Sequence, residues 1–467
     1  MKTNGGIRYR AALAAGKAAR AVIRAVGRDG GHYPGVVAGM IDPAFLDHID
    51  KPEQIVFVMG TNGKTTTANL LNDILADNGI GLVDNRAGGN VTEGIISTLM
   101  KNVDAGGNAR EQLALMELDE LHSRLVLPHV KPDYLLVTNL YRDGFVRNAS
   151  PDYVGGVISR AIPADTTLVL NADELISARL APQCEKRIYF SVGELPDDTR
   201  EAQGLVSDLP VCPECGGKIS YEWCHLRHLG KLTCESCGYT NPSPDYLVTG
   251  VDADAHTFTM RECCEPGEPE YRYRIASYSI TNLYNLAAAV VLARRLGLAP
   301  EQIAASLDKG VEVTKTRYNE NVVRGVRLID MFTKGWNIPA DSAVFKKIRE
   351  EPGAKAVVVM LNDHHMEGRA DSSNYTGWMY SADLFHLADE SVKQVVFAGD
   401  RAKDFELAAL VAGIPAERIT VCATDDEVAD AIRLDGVDSI WWSYELYSRD
   451  IARRGEARVA ERLEGRG

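Results

Sequence analysis

A glycine-rich loop between a predicted strand and a predicted helix constrains the fold of this chain more than any other segment. Residues 53–60 form an apolar run that ends in glycine, and Leu70, Leu71, Ile74 and Leu75 then recur with helical spacing. A strand, a glycine loop and a helix in this order begin a nucleotide-binding α/β unit. We therefore predict an α/β fold organised around this loop.

The composition of the loop predicts phosphate binding. It reads Gly60-Thr61-Asn62-Gly63-Lys64-Thr65-Thr66. Glycines let successive backbone N–H groups face phosphate oxygens, and the following helix adds the positive end of its dipole. We expect Lys64 to neutralise the β- and γ-phosphates of ATP and the Thr65 hydroxyl to bind Mg²⁺. The loop departs from a complete Walker A sequence because its first glycine is Gly60, so a chance glycine turn before a helix is the alternative.

Further apolar runs predict the rest of a parallel sheet. They lie at residues 113–118, 134–138 and 168–170, and helical stretches separate some of them. Glu117 lies near the end of the first of these runs. Because Mg²⁺ is held by only one or two protein carboxylates in addition to phosphates, we expect Glu117 to be a magnesium ligand. The alternative is a surface carboxylate at the end of a strand.

Four cysteines in two C-x-x-C pairs interrupt the α/β pattern. They are Cys212, Cys215, Cys234 and Cys237, with eighteen residues between the pairs. This spacing is typical of a zinc ribbon, and four thiolates leave no open coordination position, so the predicted zinc is structural. Four free thiols are the alternative. We place the inserted module at residues 205–245.

The remaining pattern predicts three parts of the chain. Residues 1–52 form an N-terminal helical segment, residues 53–310 a central ATP-binding domain with the insert, and residues 311–467 a smaller C-terminal α/β domain. In the last part, strands are predicted at 327–330, 355–361, 394–399 and 439–442. Helices are predicted around 340–350, 402–412 and 425–433, and a fraying charged helix from residue 449 on.

Charge and cysteine usage restrict the possible partners and location. The formal net charge of -14 argues against general binding of nucleic acid, and no apolar run approaches the length of a membrane span. Nine cysteines without an export signal favour reduced thiols, so we expect a cytoplasmic location. The N-terminal segment is nevertheless basic. It is either a solvated helix or a helix that contacts an anionic membrane surface.

Several motifs resemble those of the Mur ligases and folylpolyglutamate synthases. These are the loop from Gly60 to Thr66, the sequence Asn171-Ala172-Asp173-Glu174, and residues 278–289. The resemblance implies that Asn285 contacts adenine, that Arg317 contacts the phosphates of ATP, and that Asp330 contacts the ribose.

A narrower resemblance is to the MurT family, the ligase-like subunits of lipid II isoglutaminyl synthases. The four-cysteine insert carries it, together with residues 31–35, 41–43 and 334–337. It implies that ATP phosphorylates the α-carboxylate of D-glutamate in the lipid II stem peptide and that ammonia then gives D-isoglutamine. A GatD-type glutaminase would supply the ammonia. Asp363, or Asp371 behind it, would complete the Cys–His pair of that partner.

Two other functions remain open at the level of sequence. One is a stand-alone ligase that joins an amino acid to a carboxylate. The other is a zinc-ribbon binding module with a degenerate ATP site. The sequence favours a partner-dependent amidotransferase because none of the nine cysteines lies on the glycine-flanked turn that a glutaminase nucleophile needs. The lipid-linked substrate would bring such a protein to the inner face of the membrane.

Overall fold

The computed structural model describes residues 6–27, 30–86, 89–104, 106–142, 150–275, 278–309, 318–333, 337–362 and 372–465. The chain divides into two compact units. The larger unit contains Met1–Leu140, Pro151–Gln203 and Leu209–Val313, and the smaller one contains Tyr141–Ser150, Gly204–Asp208 and Thr314–Gly467.

A mixed sheet forms the centre of the larger unit. Its strands are β1 (Gln54–Met59), β2 (Val83–Asp84), β3 (Leu113–Glu117), β4 (Tyr134–Val137), β5 (Thr167–Asn171), β6 (Arg187–Val192), β9 (Tyr246–Asp252), β10 (Thr257–Glu262) and β11 (Glu270–Arg274). Among the described residues they are ordered β11-β10-β9-β6-β5-β4-β1-β3-β2. The strands from β9 to β2 pair in parallel, and β1 is buried between β3 and β4.

The helices of the larger unit cover this sheet. They are α1 (Ile7–Ala25), α2 (Tyr33–Ile41), α3 (Phe45–His48), α4 (Lys64–Asp77), α5 (Thr92–Asn102), α6 (Ser123–Val126), α7 (Pro151–Ala161), α8 (Leu175–Ala178), α9 (Ile280–Arg295) and α10 (Pro300–Asp308). Because the carboxyl ends of the parallel strands β1, β3 and β4 meet at one edge of the sheet, the segments that follow them are brought together.

The sheet departs from the predicted parallel arrangement at one end. Strands β9, β10 and β11 follow the cysteine insert and pair in an antiparallel manner. In β10, the buried residues Phe258 and Met260 alternate with partly exposed ones, as is usual for an antiparallel strand that buries one face. Strands β9, β10 and β11 were not predicted, because the strands in this part of the chain were predicted from continuous apolar runs and β10 shows alternation instead.

The predicted N-terminal segment belongs to the larger unit. Tyr9, Ala12 and Leu13 of α1 lie in the same apolar core as the central strands. At Gly16, an added Cβ would lie 2.5 Å from the sulfur of Met100 in α5, so the two helices approach closely there. Helix α1 is therefore packed along one face, in contrast to a fully solvated helix.

The insert is a two-stranded antiparallel hairpin. It consists of β7 (Ile219–Leu226) and β8 (Leu229–Cys234), which pair only with each other among the described strands. The two C-x-x-C pairs lie before β7 and at the end of β8. The hairpin thus brings the two halves of the predicted zinc site together.

The smaller unit is a second α/β layer structure. Its strands are β12 (Tyr318–Val323), β13 (Val326–Phe332), β14 (Lys355–Met360), β15 (Val392–Ala398), β16 (Ile419–Val421) and β17 (Ser439–Tyr444). They are ordered β12-β13-β17-β14-β15-β16 in the described residues, and only β12 is antiparallel. The helices are α11 (Ile338–Glu350), α12 (Ala402–Val411), α13 (Val428–Ala431) and α14 (Arg449–Glu464).

Short 3-10 helices complete this unit. They lie at Ser372–Ser381, Leu384–Ala388, Ala416–Arg418, Asp425–Glu427 and Leu446–Ser448. The predicted helix at 425–433 is only a 3-10 turn followed by the four residues of α13. Helix α14, predicted to fray, buries Val459 and Leu463 against the sheet. Among the described residues, each helix is too short or too polar to cross a membrane.

Candidate active site

The glycine loop connects β1 to α4 and has a backbone that requires glycine at two positions. Gly60 and Gly63 have φ angles of 126° and 86°. A Cβ at Gly60 would lie 2.2 Å from the Thr138 hydroxyl, and a Cβ at Gly63 would lie 2.1 Å from Oδ1 of Asn285. Both the backbone conformation and the close neighbours therefore exclude larger residues.

The first half of the loop is fixed by the residues that follow β4. The amide of Thr61 donates to the carbonyl of Asn139 at 2.9 Å, and the amide of Asn62 donates to Oδ1 of Asn139 at 3.0 Å. The Thr138 hydroxyl donates to the carbonyl of Asn62 at 2.7 Å. These amides are therefore engaged within the protein, and the N–H groups that remain for phosphates are those at the start of α4.

Lys64 is paired with a carboxylate that the sequence prediction did not select. Its ammonium lies 2.7 Å from Oε1 of Glu120 and also donates to the carbonyl of Gly60. The same oxygen of Glu120 accepts the amide of Gly60 at 3.2 Å. The Glu120 side chain is only 2% exposed. A phosphate that binds Lys64 must therefore compete with a buried carboxylate.

Thr65 and Glu117, the predicted magnesium ligands, lie side by side. The Thr65 hydroxyl donates to Oε2 of Glu117 at 2.9 Å. Adjacent ligands of an octahedral Mg²⁺, each about 2.1 Å from the ion, are separated by about 3 Å. The spacing of these two oxygens therefore fits a magnesium ion, with phosphate and water oxygens as the remaining ligands. Thr66 is half-buried in the first turn of α4.

Asn85 fixes the backbone of Glu117. Its side-chain oxygen accepts the amide of Glu117 and its NH₂ group donates to the carbonyl of Glu117, both at 2.9 Å. Asn85 is itself buried. It therefore holds the predicted magnesium ligand in place, a role for which its own sequence context gave no signal.

Asn285 lies behind the loop. It is buried on α9, and its Oδ1 accepts the hydroxyl of Thr67 at 3.3 Å next to Gly63. This side chain therefore supports the loop from behind. Its predicted contact with adenine stays a prediction.

One further predicted residue, Asp330, belongs to the smaller unit. Asp330 is buried on β13 of the smaller unit, where it accepts a hydrogen bond from Asn319 at 3.3 Å. Burial, and then the neighbouring Asp330, raise the pKa of Tyr444. Arg317 and Asp363, like Asp371, lie outside the described residues. The roles of all of them stay predictions.

The four cysteines of the insert form a cluster with the dimensions of a zinc site. Their Sγ atoms all lie within 4.8 Å of one another. The sulfurs of Cys212 and Cys237 are 3.7 Å apart, and those of Cys215 and Cys234 are 3.5 Å apart. A tetrahedral site with Zn–S bonds of about 2.3 Å requires sulfur separations of about 3.8 Å. The cluster therefore fits a structural zinc ion.

Hydrogen bonds prepare these sulfurs for a cation. The amide of Cys237, and then that of Ser236, lower the pKa of the Cys234 thiol to about 6. At Cys215 the amide of Gly217 acts in the same direction, but the adjacent thiols of Cys237 and Cys234 outweigh it and raise the pKa to about 12. Four thiols this close cannot all ionise without a positive charge between them, and a bound Zn²⁺ would supply that charge.

Known proteins resemble both parts of the chain. Residues 339–441 match the family described as MurT ligase C-terminal. A lipid II isoglutaminyl synthase (glutamine-hydrolyzing) subunit MurT from Staphylococcus aureus (strain COL) is 27% identical over 393 residues, which cover 84% of this chain and 85% of that protein. The subunit of the same name from Streptococcus pneumoniae (strain ATCC BAA-255 / R6) is 27% identical over 424 residues, or 90% of each chain.

The fold also resembles that of a solved peptide ligase. The structure of a pseudomurein peptide ligase type C from Methanothermus fervidus matches with a TM-score of 0.65 at 20% identity, over 89% of this chain and 80% of that one. The predicted Mur-ligase-like α/β fold is thus confirmed, and so are the resemblance to MurT and the assignment to ligase-type enzymes. The chain therefore resembles the MurT subunits over most of its length, and its residues 339–441 match the family described as MurT ligase C-terminal.

Proposed function

We propose that this chain uses ATP to activate the α-carboxylate of D-glutamate in the lipid II stem peptide, and that ammonia converts the product to D-isoglutamine. The arrangement at the start of α4 carries the proposal. There Lys64 and the Thr65–Glu117 pair, whose oxygens are 2.9 Å apart, surround the open N-terminus of a helix. The similarity to MurT subunits over most of the chain supports the choice of substrate.

The proposed reaction has two steps. A carboxylate oxygen attacks the γ-phosphorus of ATP, the bond to the β-phosphate oxygen breaks, and ADP leaves. The nitrogen of ammonia then attacks the carbonyl carbon of the acyl phosphate, and phosphate leaves as the C–N bond forms and a proton is lost. Lys64 would exchange Glu120 for the phosphates, while Thr65 and Glu117 would hold Mg²⁺. A bound Mg²⁺ would neutralise phosphate charge, so the chain's own residues would contribute mainly positioning and charge stabilisation.

Four of the five cysteines outside the cluster support a separate source of ammonia. Burial raises the pKa of the Cys184, Cys263 and Cys264 thiols, and it raises the pKa of Cys422 to about 11. A nucleophilic cysteine needs the opposite shift, because the thiolate is the reactive form. We therefore propose a GatD-type glutaminase as partner, with Asp363 orienting its catalytic histidine.

The N-terminal helix supports a peripheral position at the membrane. Residues 1–41 contain seven lysines and arginines and one acidic residue, within a chain of net charge -14. On α1, Ile7 and Val22 are exposed on the side opposite the packed residues Tyr9 and Leu13. Exposed aliphatic side chains among basic residues favour an anionic lipid surface, and the proposed lipid-linked substrate lies at such a surface.

The test uses the purified chain, lipid II with D-glutamate in its stem, MgATP, and either ammonium chloride or an amino acid. We expect ADP release in step with conversion of one carboxyl group to a carboxamide, seen by mass spectrometry, with ammonium alone. The Lys64→Ala variant should form neither product. Stoichiometric ADP release with an amino acid, together with a product enlarged by that amino acid, would instead identify a stand-alone ligase.

A further inference from the structure

The tip of the cysteine hairpin, residues 225–228, is buried in the larger unit. The side chains of His225 and His228 are 1% and 0% exposed, whereas Cys215 and Cys237 at the other end of the hairpin are exposed. The insert is thus anchored through its tip, and two of the four clustered cysteines at its other end reach the surface. No step of the proposed reaction uses the groups that the tip contacts.

One connection runs from the tip to the first half of the phosphate loop. Nε2 of His228 lies 3.0 Å from Oε1 of Glu174. The other carboxylate oxygen of Glu174 accepts the amide of Leu140 at 2.9 Å. Burial would raise the pKa of Glu174, but the hydrogen bond and charge of His228 outweigh it and lower that pKa. Leu140 directly follows Asn139, which holds the amides of Thr61 and Asn62.

A second connection reaches the other side of the loop. The amide of Gly230 donates to the carbonyl of Asp173 at 3.0 Å. The carboxylate of Asp173 accepts the hydroxyl of Tyr284 at 2.8 Å, and the ring of Tyr284 lies edge-on to His225 at 6.0 Å. Tyr284 directly precedes Asn285, whose side chain touches Gly63 and Thr67.

We propose that His228 and Tyr284 are positioning residues for the phosphate loop, acting through Glu174 on Asn139 and through Asp173 on the backbone that carries Asn285. The inference rests on the proposed function of the loop as an ATP site. Buried carboxylates and imidazoles are held in one geometry because each lost partner leaves an uncompensated polar group. The cysteine hairpin, which pairs only with itself among the described strands, fixes that geometry from outside the main sheet. Small displacements of phosphate-binding groups weaken substrate positioning.

The variants separate this role from ordinary packing. Tyr284→Phe removes one hydroxyl, and His228→Ala removes the donor to Glu174. His228→Gln restores an N–H donor at the position of Nε2. The control is Lys231→Ala on the same hairpin, whose ammonium pairs with Glu222 at 2.9 Å on the surface. Each protein is measured for zinc content, melting temperature, ADP affinity, and KM and kcat for ATP.

We expect Tyr284→Phe and His228→Ala to raise the Kd for ADP and the KM for ATP about 10-fold, the effect of one lost hydrogen bond to a charged group. Their kcat at saturating ATP should stay within about twofold of the original value, and zinc content should not change. His228→Gln should recover most of the affinity, and Lys231→Ala should retain all of it.

The ADP affinity of the variants tests the positioning role, and ADP binding by the unmodified chain tests the ATP site itself. Unchanged ADP affinity in Tyr284→Phe and His228→Ala, with or without a lower melting temperature, would show that these residues only pack the core, and the inference would fail. Absence of ADP binding by the unmodified chain would instead refute the ATP site itself. If His228→Ala does not fold, the comparison of Tyr284→Phe with Lys231→Ala decides the matter alone.

Discussion

The ammonium of Lys64 lies 2.7 Å from the carboxylate of Glu120, and this carboxylate also accepts the amide of Gly60. The loop thus contains an anion of its own at the place where phosphates are proposed to bind. A buried ion pair of this kind is strongly perturbed when one partner is removed. Nucleotide binding would replace the Lys64–Glu120 ion pair by a Lys64–phosphate pair. We therefore expect Glu120 to influence nucleotide affinity as well as the geometry of the loop.

Substitution of Glu120 should therefore strengthen nucleotide binding. In Glu120→Gln, the carboxamide can still accept hydrogen bonds, but the negative charge that competes with phosphate for Lys64 is gone. We expect the Kd for ADP, measured by calorimetry without Mg²⁺, to fall about 5-fold, and the effect to shrink at high salt. Weaker binding would show that Glu120 belongs to the ligand site.

Lys64→Ala, in contrast, should lower kcat/KM about 100-fold, because it removes the charge that stabilises the transferring phosphate.

Asn85 should control magnesium affinity without touching the ion. In Asn85→Ala, the backbone of Glu117 loses two hydrogen bonds of 2.9 Å. We expect the Mg²⁺ concentration for half-maximal activity to rise about 10-fold, as is usual when a residue that orients a metal ligand is removed. ADP affinity without Mg²⁺ should stay unchanged. The control is Asn78→Ala, because Asn78 caps the C-terminal end of α4, whereas Thr65 lies in its first turn. An unaltered magnesium requirement in Asn85→Ala would contradict this assignment.

The purified protein should contain one zinc ion per chain. Cys234→Ser should lower the zinc content, measured by plasma mass spectrometry, well below one and reduce the melting temperature, because a structural site needs all four thiolates. Cys224→Ser is the matched control, since its buried thiol donates to the carbonyl of Arg227 at 3.0 Å and lies outside the cluster. Unmodified protein that is free of zinc when prepared in zinc-containing medium would refute the site.

Asp173 should give the stability an unusual dependence on pH. Burial raises its pKa to about 6 against the opposing hydrogen bonds of Val192, Ser191 and Tyr284 and the charge of His225. An unfolded aspartate ionises near pH 3.9. The folded state therefore binds more protons between about pH 4 and 6, and this contribution to the free energy of unfolding, about 3 kcal/mol at most, is lost as the pH rises through 6.

The comparison with Asp173→Asn measures this contribution. The carboxamide keeps the shape of the side chain but cannot ionise. We expect the melting temperature of the variant, relative to the original, to increase from pH 5 to pH 7. Glu174, whose pKa is lowered, loses its contribution only at more acidic pH and does not interfere. A difference that is constant over this interval would show that Asp173 is ionised throughout.

The N-terminal helix should bind anionic vesicles. We expect the protein to sediment with vesicles that contain phosphatidylglycerol and to bind these vesicles less at high salt. It should not bind purely zwitterionic vesicles. Val22→Glu on α1 should weaken binding, because it adds a negative charge to the exposed apolar face. Val322→Glu, at a similarly exposed valine on β12, is the control. Equal binding by both variants would place the lipid contact elsewhere or exclude it.

Local sequence patterns were sufficient for the framework of the site. The apolar run before Gly60 and the helical spacing after Lys64 correspond to β1 and α4, and the two C-x-x-C pairs come together as predicted. These features depend on residues close in sequence. The proximity of Thr65 and Glu117 also followed from local pattern, because Glu117 ends a strand that is parallel to β1 and adjacent to it.

Contacts between distant segments were not predictable in the same way. Glu120 and Asn139 each lie next to a predicted strand end, and their positions at the shared edge of the sheet were a usable signal. Their partners, however, depend on the register between β1, β3 and β4. The burial of Asn285 against the loop depends on how α9 packs, which its alanine-rich sequence does not specify.

The contact between Thr67 and Asn285 spans 218 residues of sequence. Asn285, which supports the loop beside Gly63, is thus synthesised long after the glycines of the loop. A chain that stops before α9 would contain the entire glycine motif and β1 but would lack the side chain that closes the space beside Gly63. The proposed nucleotide site can therefore be completed only after α9 has been synthesised, and a nascent chain carries the glycine motif before Asn285 is present to support it.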